Sequence, residues 1–305
     1  MWPIRICGED LRVIPSRVLK RFVDVRVTGL AAELTYYLLL SLFPLTGLIG
    51  AGLGFLERFV GPKVAQQAQL SIISGLQVVF SWEATNEVIV PLAEGLLGRE
   101  RAGLAVGSFL ISIILASRIF RSVIDTLDVA YRVRERRSTI SLWGLSIVFT
   151  FCATVVATLI LSMVVVGPFL GGGKAIADWL GFGAAFETAW TFLRWPAVFA
   201  TSTAFLAFLY RMGPNARTSW WECLPGAVLG MVSLVLVAIS FRFYIEIMGL
   251  QSPTIENAEV AVSLAVRVIA TMMATLLWVW LSSMVVLAGG VVNAELNRIR
   301  RVPRV

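Results

Sequence analysis

Residues 276–301 read LLWVWLSSMVVLAGGVVNAELNRIRR. From Leu276 to Val292 there is no charge, and then Asn293, Glu295, Asn297, Arg298, Arg300 and Arg301 follow at once. An uncharged run that stops at a basic cluster is the pattern of a helix leaving a bilayer, because lipid supplies no water to a charge or an open backbone group. Upstream, the apolar character reaches back to Val262 with Arg267 as its one charge. The stretch 262–292 is therefore longer than the ~20 residues that a ~30 Å hydrocarbon core requires.

The rest of the chain has the same character. Of 305 residues, 58% are hydrophobic and 15% charged, and the mean hydropathy is +0.83. Soluble domains run nearer half apolar and a quarter charged, and one soluble core cannot hide this excess. Further apolar runs occupy 29–56, 102–120, 140–170, 189–210 and 223–245. They are too continuous for the alternation of a membrane barrel. The sequence thus predicts an all-α membrane protein, a bundle of six transmembrane helices forming a single integral domain over 1–305.

Charge predicts the orientation. Lys and Arg number 26 against 19 Asp and Glu, a net +7. Eighteen of the basic residues fall in the two terminal segments and the second and fourth connections, and six fall on the other side. The positive-inside bias places both termini in the cytoplasm of a bacterium with the chain in the inner membrane. Residues 1–28 form a basic cytoplasmic segment without the apolar run of a cleavable signal peptide, and 293–305 form a basic cytoplasmic tail. The +7 is read as topogenic, not as a nucleic-acid footprint. Within 15–27, Val18, Leu19, Phe22 and Val25 lie near one face of a basic helix that could contact anionic lipid; an ordinary basic flank is the alternative. The external segment 57–101 is too long for a plain loop. Its apolar pieces, 64–80 with four glutamines and 87–97 with Pro91, read as amphipathic helices at the outer interface, with a re-entrant pair as the second choice.

Chemistry is sparse. There is no histidine, and Cys7, Cys152 and Cys223 have no metal-ligand spacing. No phosphate loop, zinc motif or serine elbow is present. Glu83, Glu87 and Glu94 could share a helical face, but Pro91 interrupts it. No catalytic residue, metal site or cofactor is expected, and the chain reads as a non-enzyme.

The polar residues that resist a purely structural reading lie near span ends. Glu33, Tyr36 and Tyr37 occupy the first span, and Arg118, Arg121 and Asp125 follow the second at helical spacing with Asp128. An ionisable residue in a span requires a partner or water. Glu33 is therefore expected to face inward, toward one of these arginines or a polar cavity; a snorkelling carboxylate is the alternative. Pro44 should kink the first span and act as a hinge. Gly103 with Gly107, and Gly226 with Gly230, have the spacing of close helix contacts.

Three motifs recur at span ends: AAELTYYLLLSLFPL (31–45); Pro214–Asn215 followed by Trp220 and Leu224–Pro225–Gly226–Ala227; and Leu277–Trp278–Val279–Trp280–Leu281–Ser282 with Gly289 and Asn293–Ala294–Glu295–Leu296. In this order and spacing the chain resembles the YihY/BrkB family of bacterial six-span inner-membrane proteins. It departs from that pattern in lacking a Tyr-Gly pair before the last span and in carrying Glu33. The resemblance implies a protein linked in some members to serum resistance or to movement of lipid-like molecules, with an old ribonuclease label that arose by misassignment. Three function classes follow in order: a transporter or flippase for an amphiphile, an envelope assembly or scaffold protein, and last an enzyme. Membrane lipids are the partners the sequence implies; it names no protein partner and no oligomeric state.

Overall fold

The structure, a computed structural model, describes residues 14–41, 102–161, 163–164, 184–216, 218–248 and 260–301. Among them every regular element is helical: α1 (Ile14–Asp24), α2 (Val27–Ser41), α3 (Ala102–Tyr131), α4 (Thr139–Leu161), α5 (Ala184–Met212), α6 (Trp220–Met248) and α7 (Val260–Arg301). Among the described residues, four stretches are long and apolar enough to cross a membrane: Thr139–Ile160, Phe192–Met212, Trp220–Ile247 and Ile269–Arg300. The shortest has 21 residues, which at 1.5 Å each extends ~32 Å and matches a ~30 Å core.

These four coincide with the third to sixth expected spans. The second expected span is the first part of α3, which then continues as charged helix to Tyr131. Of the first expected span, α2 is the described part. The candidate hinge Pro44 lies outside the described residues, as does the whole external segment 57–101.

Helix starts follow local chemistry. The Ser138 hydroxyl accepts the Ser141 N–H at 3.3 Å and caps α4. At α6 the Ser219 N–H donates to Glu222 Oε2 at 2.9 Å, half of the Ser-x-x-Glu capping box. The turn from α5 into α6 is further tied by the Arg211 guanidinium, 4.3 Å from the centroid of the Trp220 ring.

The chain divides into two compact units. The first comprises Met1–Leu34, Phe120–Ile239 and Trp280–Val305; the second comprises Thr35–Ile119 and Ser240–Val279. In the second unit, described contacts are local: Tyr36 meets Tyr37 edge-on, Phe241 stacks on Tyr244, and an exposed Arg242–Glu246 pair sits at 3.0 Å. The first unit holds a true core. Phe149 of α4 lies 5.9 Å from Phe120 of α3 and 5.2 Å from Phe208 of α5, ring centre to ring centre, and Phe120 meets Phe205 edge-on.

α6 and α7 meet backbone to backbone. A Cβ at Gly226 would lie 2.3 Å from the Gly289 carbonyl oxygen, and one at Gly289 would lie 2.6 Å from the Tyr210 hydroxyl. Glycine is required there because helices in lipid associate through close packing, and a methyl group would force them apart. Tyr210, fully buried, fills the space beside the contact and donates its hydroxyl hydrogen to the Val286 carbonyl. Gly230 lies next to the same hydroxyl, where a Cβ would stand 3.2 Å from it. Gly103 falls in the first turn of α3. A Cβ at Gly107 would meet nothing within 4 Å, so among the described residues the second Gly-x-x-x-Gly spacing makes no close contact at Gly107.

Gly226→Ala or Gly289→Ala should therefore destabilise the first unit by about 1–3 kcal/mol or more. Gly107→Ala should be neutral to slightly stabilising, as expected for removing a helical glycine from an open position. Thermal unfolding in detergent checks the contrast, and equal midpoints for the Gly226 and Gly107 variants would refute the close contact.

Candidate functional site

At the chain end of the first unit, polar groups from α1, α3, the α3–α4 loop, the α5–α6 loop and α7 converge. The network starts beside Pro225, which lies inside α6 and lacks an N–H. The Asn293 carboxamide of α7 bonds two backbone groups that flank this proline. Its Oδ1 accepts the Gly226 N–H at 2.7 Å, and its Nδ2 donates to the Cys223 carbonyl at 2.8 Å. Asn293 has no exposed surface.

Two residues further along α7, Glu295 is 2% exposed. Arg132 approaches it at 3.5 Å and Arg298 at 3.6 Å. Arg132 follows the end of α3 in the left-handed region, at φ 57°. Its N–H donates to the Val129 carbonyl and the next N–H, of Val133, to Asp128. This is the Schellman arrangement, in which glycine normally occupies the left-handed position. An arginine there costs about 1–2 kcal/mol of backbone strain, and its guanidinium supplies the counter-charge that buried Glu295 requires. Arg21 of α1 donates to the Ala130 carbonyl at 3.3 Å and to the Val129 carbonyl. Burial lowers its pKa, as does the repulsion of Arg132, while Glu295 acts in the opposite direction.

The α3–α4 loop grips the end of α5. Arg137 donates to the carbonyls of Gly213 at 3.0 Å, Pro214 at 3.2 Å and Met212 at 3.3 Å. Those carbonyls lie at and just past the helix terminus, where acceptors lack helical donors and the dipole is negative. Asn215 completes the clasp: its N–H donates to Asp128 Oδ1 at 2.7 Å and its Nδ2 to Glu135 Oε1 at 3.1 Å. Glu135 Oε1 also accepts the Arg136 and Arg137 N–H groups, each at 2.7 Å.

Asp128 and Glu135 face each other as a carboxyl pair. Burial, opposed by the Asn215 N–H and reinforced by Glu135, pushes Asp128 up to about 6. For Glu135, burial acts upward, but the Arg137 N–H, the Asp128 carboxyl and the Arg136 N–H outweigh it and its pKa is lowered. Asp128 Oδ2 and Glu135 Oε2 are buried without another hydrogen-bond partner, which suits a proton held between them.

The expected polar path is arranged differently. On α2 the buried positions are Val27, Ala31, Leu34 and Thr35, one stripe at helical spacing. Glu33 lies on the opposite side, is exposed, and forms no ion pair among the described residues. Small and apolar side chains occupy the buried stripe, where a carboxylate would have to shed its water. Tyr36 is exposed and Tyr37 half-buried. Arg121 pairs with Asp125 at 3.2 Å on an accessible face, and Arg118 is exposed. Asp128, next on that row, turns into the network. The sequence picked out Asn215, Asn293 and Glu295 as motif residues; Arg132 and Arg137 counted only among the basic residues of a connection, and Glu135 was not singled out.

The carboxyl pair sets a pH dependence. A pKa raised on folding contributes stability that is fully present below the ordinary value of 3.8 and is lost as pH rises through about 6. The upper limit is about 3 kcal/mol. The lowered Glu135 acts in the opposite sense, losing its contribution as pH falls through its reduced value. Between pH 4.5 and 7, the unfolding midpoint in detergent should therefore fall with rising pH. Asp128→Asn keeps the acceptor for Asn215 and a donor toward Glu135, and should flatten that slope; an unchanged slope would assign the titration to another group.

The sequence profile described as virulence factor BrkB matches residues 18–304. A protein of Bacillus subtilis (strain 168) named as ribonuclease-like, YfkH, is 24% identical over 273 residues, covering 90% of this chain and 91% of its own. The UPF0761 membrane protein PSHAa0171 of Pseudoalteromonas translucida (strain TAC 125) is 28% identical over 297 residues, covering 94% of this chain and 88% of its own. No solved structure matches the chain. The profile spans the motifs that meet at Asn215, Gly226, Asn293 and Glu295, and the chain belongs to the virulence factor BrkB family.

Proposed function

We propose that this membrane protein moves an amphiphile across the bilayer, its headgroup following a polar track along α4. One observation carries the reading. Ser146, Thr150, Thr154 and Thr158 each donate to the carbonyl four residues earlier, at 2.8–2.9 Å. Four residues advance a helix by 400°, so the row drifts about 40° per step. It starts buried at Ser146 and ends exposed at Thr154 and Thr158. From Ser146 to Thr158 it covers ~18 Å of helix, more than half of a ~30 Å core. Because each hydroxyl hydrogen is engaged within the helix, the row is cheap to hold in lipid and presents oxygen acceptors along its length.

A second reading, a non-enzymatic envelope assembly protein without a substrate path, draws support from the network at the end of the first unit. Its guanidinium and carboxylate groups are engaged with one another and with helix ends, as in a structural joint. In either reading the protein lies in the bacterial inner membrane with both termini in the cytoplasm. Impermeant thiol labelling of Arg134→Cys and Lys174→Cys, each as a single cysteine, should mark opposite sides; labelling from the same side would overturn that orientation.

The transport reading is tested in proteoliposomes with headgroup-labelled lipids. Wild-type protein should speed their exchange between leaflets, and Thr154→Val with Thr158→Val should slow it about tenfold, equivalent to about 1.4 kcal/mol of barrier. Exchange no faster than in protein-free vesicles, with folded protein present, would leave the assembly reading.

A further inference from the structure

We propose that α1 docks on an anionic lipid leaflet through Leu19 and Val23, with Lys20 and Arg26 supplying the charge. The inference rests on the chain being a membrane protein and is independent of whether it transports.

The apolar arc of α1 is wider than the protein covers. Val18 and Phe22 form one row at i,i+4 and are half-buried, while Leu19 and Val23 form the adjacent row and are each 65% exposed. Val25, just past the helix, is buried. The sequence alone grouped Val18, Leu19, Phe22 and Val25 on one lipid-facing side. The structure divides that group, giving Val18, Phe22 and Val25 to the protein side and leaving Leu19 with Val23 uncovered.

Three features on this helix identify what covers them. First, α1 is fixed, not free. Arg21 bonds the Ala130 and Val129 carbonyls at the end of α3, so the uncovered row has a set direction. Second, α1 joins the apolar helix α2 through Val25 and Arg26 alone, with Arg26 in the left-handed region at φ 58°. The Gly29 and Leu30 N–H groups bond the Arg26 carbonyl as α2 begins. A helix tied this closely to the start of an apolar helix is held at the level where that helix meets the membrane. Third, the charge is complementary. Lys20 and Arg26 are exposed and Arg17 is half-buried, against a single acid, Asp24. Exposed apolar residues flanked by bases fit an anionic leaflet.

The test uses the full chain in nanodiscs holding one copy each, with lipids either purely zwitterionic or containing phosphatidylglycerol. Leu19→Cys or Val23→Cys, in a background without the native cysteines, carries an environment-sensitive fluorophore. Nitroxide lipids should quench both positions, more strongly with phosphatidylglycerol present, and aqueous iodide should not. Lys20→Gln should lower the docked-to-undocked ratio about fivefold, the factor expected for one basic residue at such a surface. Should the cysteine-free background fail to fold, amide hydrogen exchange of the unmodified chain gives the same answer: exchange of α1 slows when phosphatidylglycerol is added. Quenching by iodide in both lipids, shielding from both quenchers (which would mean coverage by protein), or α1 exchange indifferent to anionic lipid would each overturn the proposal.

Discussion

The arrangement of the first unit depends on one buried carboxamide, that of Asn293, which ties α7 to the backbone of α6. It accepts the Gly226 N–H and donates to the Cys223 carbonyl, on either side of Pro225. Left unbonded in a buried position, each polar end of that carboxamide would cost about 1–3 kcal/mol. The two bonds can form only if α7 comes very close, and Gly226 against Gly289 makes that approach sterically possible. The polar bond and the glycine contact are therefore one device: the first fixes the register of α7 on α6, and the second permits the distance. Tyr210, bonded to the Val286 carbonyl, adds α5 to the same register.

Once α7 is in register, the rest of the network follows along it. Glu295 is carried into a buried position where it needs positive charge, and Arg132 reaches it from a left-handed residue at the end of α3. The strain at Arg132 is thus tied to a specific counter-charge and is not incidental loop geometry. Asp128, whose carbonyl accepts the Val133 N–H in that same turn, holds Asn215 with its side chain. Arg137 meanwhile occupies the carbonyls at the end of α5. Loops that would otherwise be the loosest part of the bundle become a joint in which helix ends are capped by residues from other helices. A joint of this kind resists local opening, because releasing one loop exposes the unpaired groups of another.

The spans were legible because continuous apolar runs have one solution in lipid; the caps at Ser138 and at Ser219 with Glu222 emerge only from the structure. The pairing at Gly226 and Gly230 left a trace in its spacing, but the identical spacing at Gly103 and Gly107 shows that spacing alone does not say what lies opposite. The i,i+4 relation of Glu33 to Tyr37 likewise defines a polar face without saying where it points, and the buried stripe is Val27, Ala31, Leu34 and Thr35. The joint itself was not legible. Asn215 pairs with Asp128 across 87 positions and Asn293 with Gly226 across 67, and no local rule connects residues so far apart. Arg132 and Arg137 were visible as topogenic charge, which hid their structural work.

On the proposed transport reading, where the polar groups sit also limits the chemistry of the substrate. The guanidinium groups of the joint are engaged with Glu295 or with helix-end carbonyls, and Arg194 lies over the Trp195 ring, 5.4 Å from its centroid. The row on α4 is different in kind. Its hydroxyl hydrogens are engaged with the helix backbone, so its oxygens offer acceptors and no fixed positive charge. Such a row suits a headgroup rich in donors, such as hydroxyl or ammonium groups, and gives little to a bare phosphate, which recognises arginine forks or backbone N–H groups. On the proposed reading, a glycosylated or amine-bearing amphiphile is a better substrate than a simple phosphatidic headgroup, and that preference follows from which partner of each hydrogen bond the helix has already used.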